Sequence, residues 1–121
     1  MTRKKILLID DDHRNIFALT AVLKSRSYEC ISCTNAIEAL EILNSRTDID
    51  VILLDMMMPE MDGYEAIPLI KEIPNYNEIP LIAVTAQAMS GDRDKCLNAG
   101  ADEYISKPVD VDKLMHLLKL L

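Results

Sequence analysis

The chain lacks any apolar run approaching the roughly 20 residues that a membrane-spanning helix requires. Ile6 to Ile9 follows a basic start, Met1-Thr2-Arg3-Lys4-Lys5, but it is too short for a signal-peptide core and Asp10 interrupts it. A soluble, unprocessed, cytoplasmic protein is therefore expected, with no membrane contact in this segment. Positive charge is also in short supply. Lys and Arg number 13 against 20 Asp and Glu, a net charge of −7, which argues against direct nucleic-acid binding. No low-complexity stretch and no linker divide the 121 residues. Half of them are hydrophobic and 27% are charged, so one globular domain, residues 1–121, is expected.

Cysteines are few and odd in number, three in all. Cys30 and Cys33 have the CxxC spacing, but they fall in the run Tyr28 to Thr34, which reads as a strand. Residues three apart on a strand point to opposite faces, which suits neither a disulfide nor a shared metal. Buried free thiols are expected there, and at Cys96 in a helix.

What the chain does have is a series of short apolar runs, each ending in a polar residue. Val51-Ile52-Leu53-Leu54 runs into Asp55 and reads as a strand buried on both faces. Met56-Met57-Met58-Pro59-Glu60-Met61 follows, and Asp62-Gly63 marks a turn into a helix. Lys5 to Ile9 is a first strand ending at Asp10-Asp11-Asp12. Glu29 to Cys33 is a second, and Leu81 to Val84 a fourth, ending at Thr85. Glu103 to Ser106 is a fifth, followed by Lys107-Pro108.

Helical stripes lie between the strands. Ile16, Leu19, Val22 and Leu23 mark the first, and Ala36, Ala39, Leu40 and Leu43 the second. The third begins near Tyr64 and ends before Pro74. Pro68 lies inside it, and a proline in a helix interior costs roughly 3 kcal/mol, so a late start or a kink is expected. Asn75 to Glu78 reads as a polar connection. Ser90 is a candidate N-cap for the fourth helix and Gly100 its αL terminator. Asp110 caps the last, with Val111, Leu114, Met115, Leu118 and Leu121 as its stripe. The pattern is (βα)5, an α/β doubly wound parallel sheet of flavodoxin-like order 2-1-3-4-5.

All strands of such a sheet point one way, so their C-terminal ends share a rim. Asp10, Asp11, Asp55, Thr85 and Lys107 converge there, with strands one and three flanking the switch point. Crowded carboxylates repel and call for a cation. Their hard oxygens suit Mg²⁺, which keeps open positions for phosphate oxygens. Lys107 adds a mobile positive charge and Thr85 a donor. The set suits phosphoryl transfer, with Asp55 as the nucleophile. Taken singly, each residue has a plainer role. Asp12 suits an N-cap as well as a ligand, Thr85 a local hydrogen bond, and Lys107 a solvated surface. The methionines of the loop suit packing rather than a soft metal, and His13 and His116 suit structural or exposed positions.

Ile9-Asp10-Asp11-Asp12, Leu54 to Gly63, Ala83-Val84-Thr85-Ala86 and Lys107-Pro108, in this order, resemble the receiver domain of two-component response regulators over essentially the whole chain. The resemblance implies a phosphoacceptor, Asp55, that takes its phosphoryl group from a phosphohistidine on a histidine kinase or histidine phosphotransfer protein. It implies Mg²⁺ held by Asp10, Asp11, Asp55 and the backbone carbonyl of Met57, with or without water between the ion and Asp10. It implies Thr85 and Lys107 on the phosphoryl oxygens, a cis Lys107–Pro108 bond and Tyr104 as the aromatic switch. The run Asp12 to Leu19 is most similar to receivers of hybrid sensor histidine kinases.

The expected protein is a self-phosphorylating and self-dephosphorylating switch or relay rather than a multiple-turnover enzyme. Partner contacts are expected on the first helix near Asn15, Ile16 and Ala18. An aspartate-nucleophile phosphohydrolase is the alternative. It would share the Asp-x-Asp spacing of Asp10 and Asp12, but His13-Arg14 stands where Gly-Thr would be expected and no cap domain is evident. A flavin module would need a Ser/Thr/Gly phosphate loop where this chain has three aspartates.

Overall fold

The computed structural model describes residues 4–86 and 91–121. Five strands alternate with five helices: β1 (Lys5–Ile9), α1 (His13–Ser25), β2 (Glu29–Cys33), α2 (Ala36–Ser45), β3 (Val51–Asp55), α3 (Gly63–Glu72), β4 (Leu81–Thr85), α4 (Asp92–Asn98), β5 (Glu103–Ser106) and α5 (Val111–Leu120). All pairings are parallel and the order is β2-β1-β3-β4-β5, the flavodoxin-like order expected from the sequence.

Strand periodicity divides the core in two. Leu7, Ile9, Ile52, Leu54, Leu81 and Ala83 face the side covered by α2, α3 and α4. Their neighbours Ile6, Leu8, Val51, Leu53, Ile82 and Val84 face α1 and α5. Burial on both faces is why β1, β3 and β4 read as unbroken apolar runs rather than alternating ones. The same alternation separates Cys33, on the α2 face, from Cys30, which packs toward α1. All three cysteines are free, as expected, although Cys30 is half-buried.

Local chemistry sets the helix ends. Asp12, Asn35, Asp62 and Asp110 cap α1, α2, α3 and α5, each accepting from a backbone N–H of the first turn. Asp62 and Glu65 complete a capping box. The cap expected at Ser90 lies outside the described residues; α4 opens at Asp92 behind Gly91 (φ 90°). Gly100 does adopt positive φ, 117°, past the end of α4.

Pro68 causes no late start, since α3 begins at Gly63, one residue before the expected Tyr64. Its ring lies on the solvent side, while Ala66, Ile67 and Ile70 hold the opposite face in the core. That burial and the capping box offset the missing hydrogen bond. The connection after α3 also differs from expectation. Pro74–Tyr76 forms a 3-10 turn that drives Tyr76 into the core. The Tyr76 hydroxyl donates to the Arg46 carbonyl at 2.6 Å and accepts from the Ile49 N–H at 3.5 Å.

Gly63 brings α3 against the loop that follows β3. A Cβ there would lie 2.3 Å from Met56 Sδ and 2.8 Å from Met56 Cα. Met56 is fully buried and the Cα cannot swing aside. Gly63→Ala is expected to destabilise the fold by about 1–3 kcal/mol. Urea denaturation should show a lowered midpoint with an unchanged slope; an unchanged midpoint would mean that the loop yields freely.

Candidate functional site

Each strand end delivers one part of the site. β1 runs into Asp10, which is 1% exposed, and then into exposed Asp11 and Asp12. β3 ends on Asp55, 3% exposed, held by central pairing with β1 and β4. β4 ends on fully buried Thr85, and β5 leads into Lys107. The Lys107 N–H donates to the Thr85 carbonyl at 2.8 Å, which ties the last two strand ends together. The Lys107–Pro108 peptide is cis.

The acidic residues meet as the strand ends predict. Asp10, Asp11 and Asp55 each bring a carboxylate oxygen within 4.8 Å of the others. Lys107 Nζ lies 3.3 Å from Asp10 Oδ2 and 3.4 Å from Asp55 Oδ2. Burial alone would lower the Lys107 pKa, but the two carboxylates outweigh it and the ammonium is held above its usual value. Asp55 Oδ1 accepts from the Met57 N–H at 3.0 Å, which fixes the carboxylate's rotation. Three hard carboxylates within reach of one point fit a divalent cation with oxygen preference, such as Mg²⁺ or Ca²⁺, and fit soft metals poorly. Asp11, Asp55, Met57 and Lys107 border an open cleft of about 690 Å³, lined also by Asp12, His13, Arg14 and Ala86.

Two side chains sit differently from the sequence reading. Met56 and Met58 are buried and Met61 packs at the core's edge, as expected of packing residues, but Met57 is 49% exposed and lines the cleft. Asn15, expected among the exposed contacts of α1, is half-buried, and its side-chain amide donates to Asp10 Oδ2. Its helical position carried the signal. With Asp12 as N-cap, Asn15 is the third helical residue, within a short side chain's reach of the rim. Ile16 packs against the α1–α5 core, and Asp12 serves as the cap rather than within the carboxylate trio.

Tyr104 is half-buried on β5, opposite Ala83 of β4, and packs against the α2–α4 side of the core. Its phenol is pushed up by burial, then by the nearby charges of Asp92 and Cys96. Tyr64 joins this group, a contact that the sequence did not reveal. Its hydroxyl reaches Asp92 Oδ1 at 3.5 Å and Cys96 Sγ at 3.6 Å, and Lys95 Nζ lies 4.5 Å above its ring.

The family model for the response regulator receiver domain matches residues 6–119. The signal transduction histidine-protein kinase BarA of Escherichia coli K12 is 35% identical over 113 residues, 93% of this chain but 12% of BarA. This chain therefore spans a small fraction of that relative's length. The polar-differentiation response regulator DivK of Brucella anthropi is 33% identical over 116 residues, 96% of this chain and 94% of DivK. Among solved structures, the receiver domain of the Pseudomonas aeruginosa PAO1 sensor histidine kinase PA1611 superposes with a TM-score of 0.89 at 34% identity. That match covers 98% of this chain and 97% of the other, which carries a magnesium ion coordinated in its active-site cleft. Among the described residues no helix is long and apolar enough to cross a membrane. With the strand order, the matched family model and both a long and a short relative in agreement, the chain belongs to the response regulator receiver domains of two-component signalling.

Proposed function

We propose that Asp55 accepts a phosphoryl group from a phosphohistidine on a histidine kinase or histidine phosphotransfer protein, in a Mg²⁺-dependent reaction, and that the chain acts as a switch or relay. The observation that carries this is the setting of Asp55. It is a buried carboxylate at the end of a central strand, with one oxygen tied to a backbone N–H and the other facing Lys107 across an open cleft. A nucleophile so held loses little entropy on attack. As Asp55 Oδ bonds to phosphorus, the phosphorus–nitrogen bond breaks and its electrons return to the imidazole. Lys107, already between Asp10 and Asp55, is placed to follow the new negative charge. Thr85 supplies a hydroxyl donor from the neighbouring strand end.

Asp10, Asp11, Asp55 and the Met57 carbonyl would hold Mg²⁺, whose charge offsets the carboxylates and the incoming phosphoryl oxygens. The family assignment gives no support to the phosphohydrolase alternative, and the reading remains that of a switch rather than a multiple-turnover enzyme. Residues 1–121 would act as a single receiver domain. A cytoplasmic location for the domain goes with this reading.

A donor protein must cover the rim. A groove of about 490 Å³ adjoins the cleft, running between α1 (Ala18, Leu19, Val22) and the segment Pro108–Val111, with Lys107 shared between the two. Phe17, 79% exposed on α1, lines a separate pocket with Ile16, Thr20 and Ala21. A helix laid along this face is the expected docking mode. Ala18→Glu places a charge in the apolar groove and is expected to slow transfer from a phosphohistidine protein about tenfold, a cost of about 1.4 kcal/mol. Labelling by a small acyl phosphate should be unchanged. Equal slowing with both donors would place the fault in the cleft and contradict docking on α1.

A further inference from the structure

Asp10 is more fully engaged than a metal-binding carboxylate needs to be. Its Oδ1 accepts from the Asp12 N–H at 2.9 Å. Its Oδ2 accepts from the Asn15 side-chain amide and faces Lys107 Nζ at 3.3 Å. An ionised carboxylate offers about four lone-pair sites. Three are taken, and the remaining one is on Oδ1. The two donors on Oδ2 are not equivalent. Lys107 divides its contact between Asp10 and Asp55 and is bound to shift when charge develops at Asp55. Asn15 is fixed in the first turn of α1, one residue beyond the Arg14 N–H that Asp12 caps. Orientation of its amide follows from chemistry, because only the nitrogen can donate to a carboxylate.

We propose that Asn15 is a cation-specificity residue: with Lys107 on the other site of Asp10 Oδ2 in the unphosphorylated chain, Asn15 keeps that oxygen filled, confines Asp10 to Oδ1, and so favours Mg²⁺ over Ca²⁺. This rests on the cation reading given above. Mg²⁺ demands octahedral geometry, takes carboxylates one oxygen at a time and retains waters. Ca²⁺ accepts six to eight oxygens and commonly takes a carboxylate through both. A site in which both Asp10 oxygens were available, beside Asp11 and Asp55, would suit the larger ion. Outer partners of a ligand tune metal affinity by orienting it, and here the orientation excludes one coordination mode.

The test is a comparison of two cations on the unphosphorylated full chain. MgCl₂ and CaCl₂ are titrated separately, and dissociation constants are read from the amide NMR shifts of Asp11, Asp55 and Met57. Asn15→Leu is nearly isosteric and lacks the donor, while Asn15→Ala guards against a packing artefact from the leucine. Ala21→Leu, further along the exposed face of α1, is the control. In both Asn15 variants the ratio of the Ca²⁺ to the Mg²⁺ dissociation constant should fall about tenfold, with the Ala21→Leu ratio matching wild type. A purely structural role for Asn15 would weaken both cations in parallel and leave the ratio unmoved, which overturns the proposal. Wild type that binds neither cation overturns the Mg²⁺ reading itself, and this inference with it.

Discussion

Asp11→Ala is expected to lose Mg²⁺ dependence and phosphoryl labelling together, whereas Asp12→Ala should keep both. The two residues are adjacent, exposed and identical in chemistry, so the contrast depends on geometry alone. Asp11 brings an oxygen within 4.8 Å of Asp10 and Asp55. Asp12 instead caps α1, its side chain accepting from the Arg14 N–H at 2.9 Å. Removing Asp11 as the proposed direct ligand would take away several kcal/mol of charge stabilisation, so labelling should drop on the order of a thousandfold. Removing the cap should cost about 1 kcal/mol of stability and leave the chemistry in place. Labelling with a small acyl phosphate at graded MgCl₂, with a denaturation curve for each variant, reads both effects. If Asp12→Ala proves the more damaging to labelling, the assignment of the acidic cluster is displaced by one residue.

Thr85→Ala should still take up phosphate, less well, yet lose most of the response on the face formed by α4, β5 and α5. The sheet register explains why. Thr85 pairs with Ser106, and Ala83, two residues earlier, pairs with Tyr104. Strand alternation puts Ala83, Thr85 and Tyr104 on one face, the face covered by α4. A phosphoryl dianion on Asp55 needs new donors. Thr85 moving toward it would clear space for the Tyr104 ring, whose surroundings include Asp92 and Cys96 of α4. On the proposed coupling, which would work by population shift, a minor active form should exist before phosphorylation. Amide NMR shifts at residues 92–98 and Tyr104, with and without an acyl-phosphate mimic and Mg²⁺, report it. Full-size shifts in Thr85→Ala would mean that the signal takes another route. An absence of shifts in wild type would mean that this receiver serves chiefly as a relay or sink.

The strand ends were legible because each apolar run stops at the residue that faces the rim. Asp10, Asp55, Thr85 and Lys107 could be placed from run lengths and parallel direction alone. The cap at Asp110 and the opposite facing of Cys30 and Cys33 followed from equally local rules. What escaped depends on contacts far along the chain. Tyr76 sits in a polar run and looks like a surface residue, but the Arg46 carbonyl, 30 positions earlier, satisfies its hydroxyl and lets the ring be buried. Pro68 reads as a helix disruptor until its ring is seen to face solvent while buried neighbours hold the helix. Asn15 reads as a polar contact on an exposed helix, and its inward turn depends on the acceptor that β1 delivers. Met57 is chemically the same as Met56 and Met58, and sequence alone does not say which of three consecutive side chains the loop turns outward.

The central claim is that Asp55 is the phosphoacceptor, and intact-mass spectrometry tests it most directly. Wild type and Asp55→Asn are incubated with a small acyl phosphate and MgCl₂. Asp55 is buried, strand-held and aimed into the cleft beside Lys107. Wild type should gain the mass of one phosphoryl group, and Asp55→Asn, which keeps the shape but lacks the nucleophilic carboxylate, should gain none. Equal labelling of the two proteins would contradict the account.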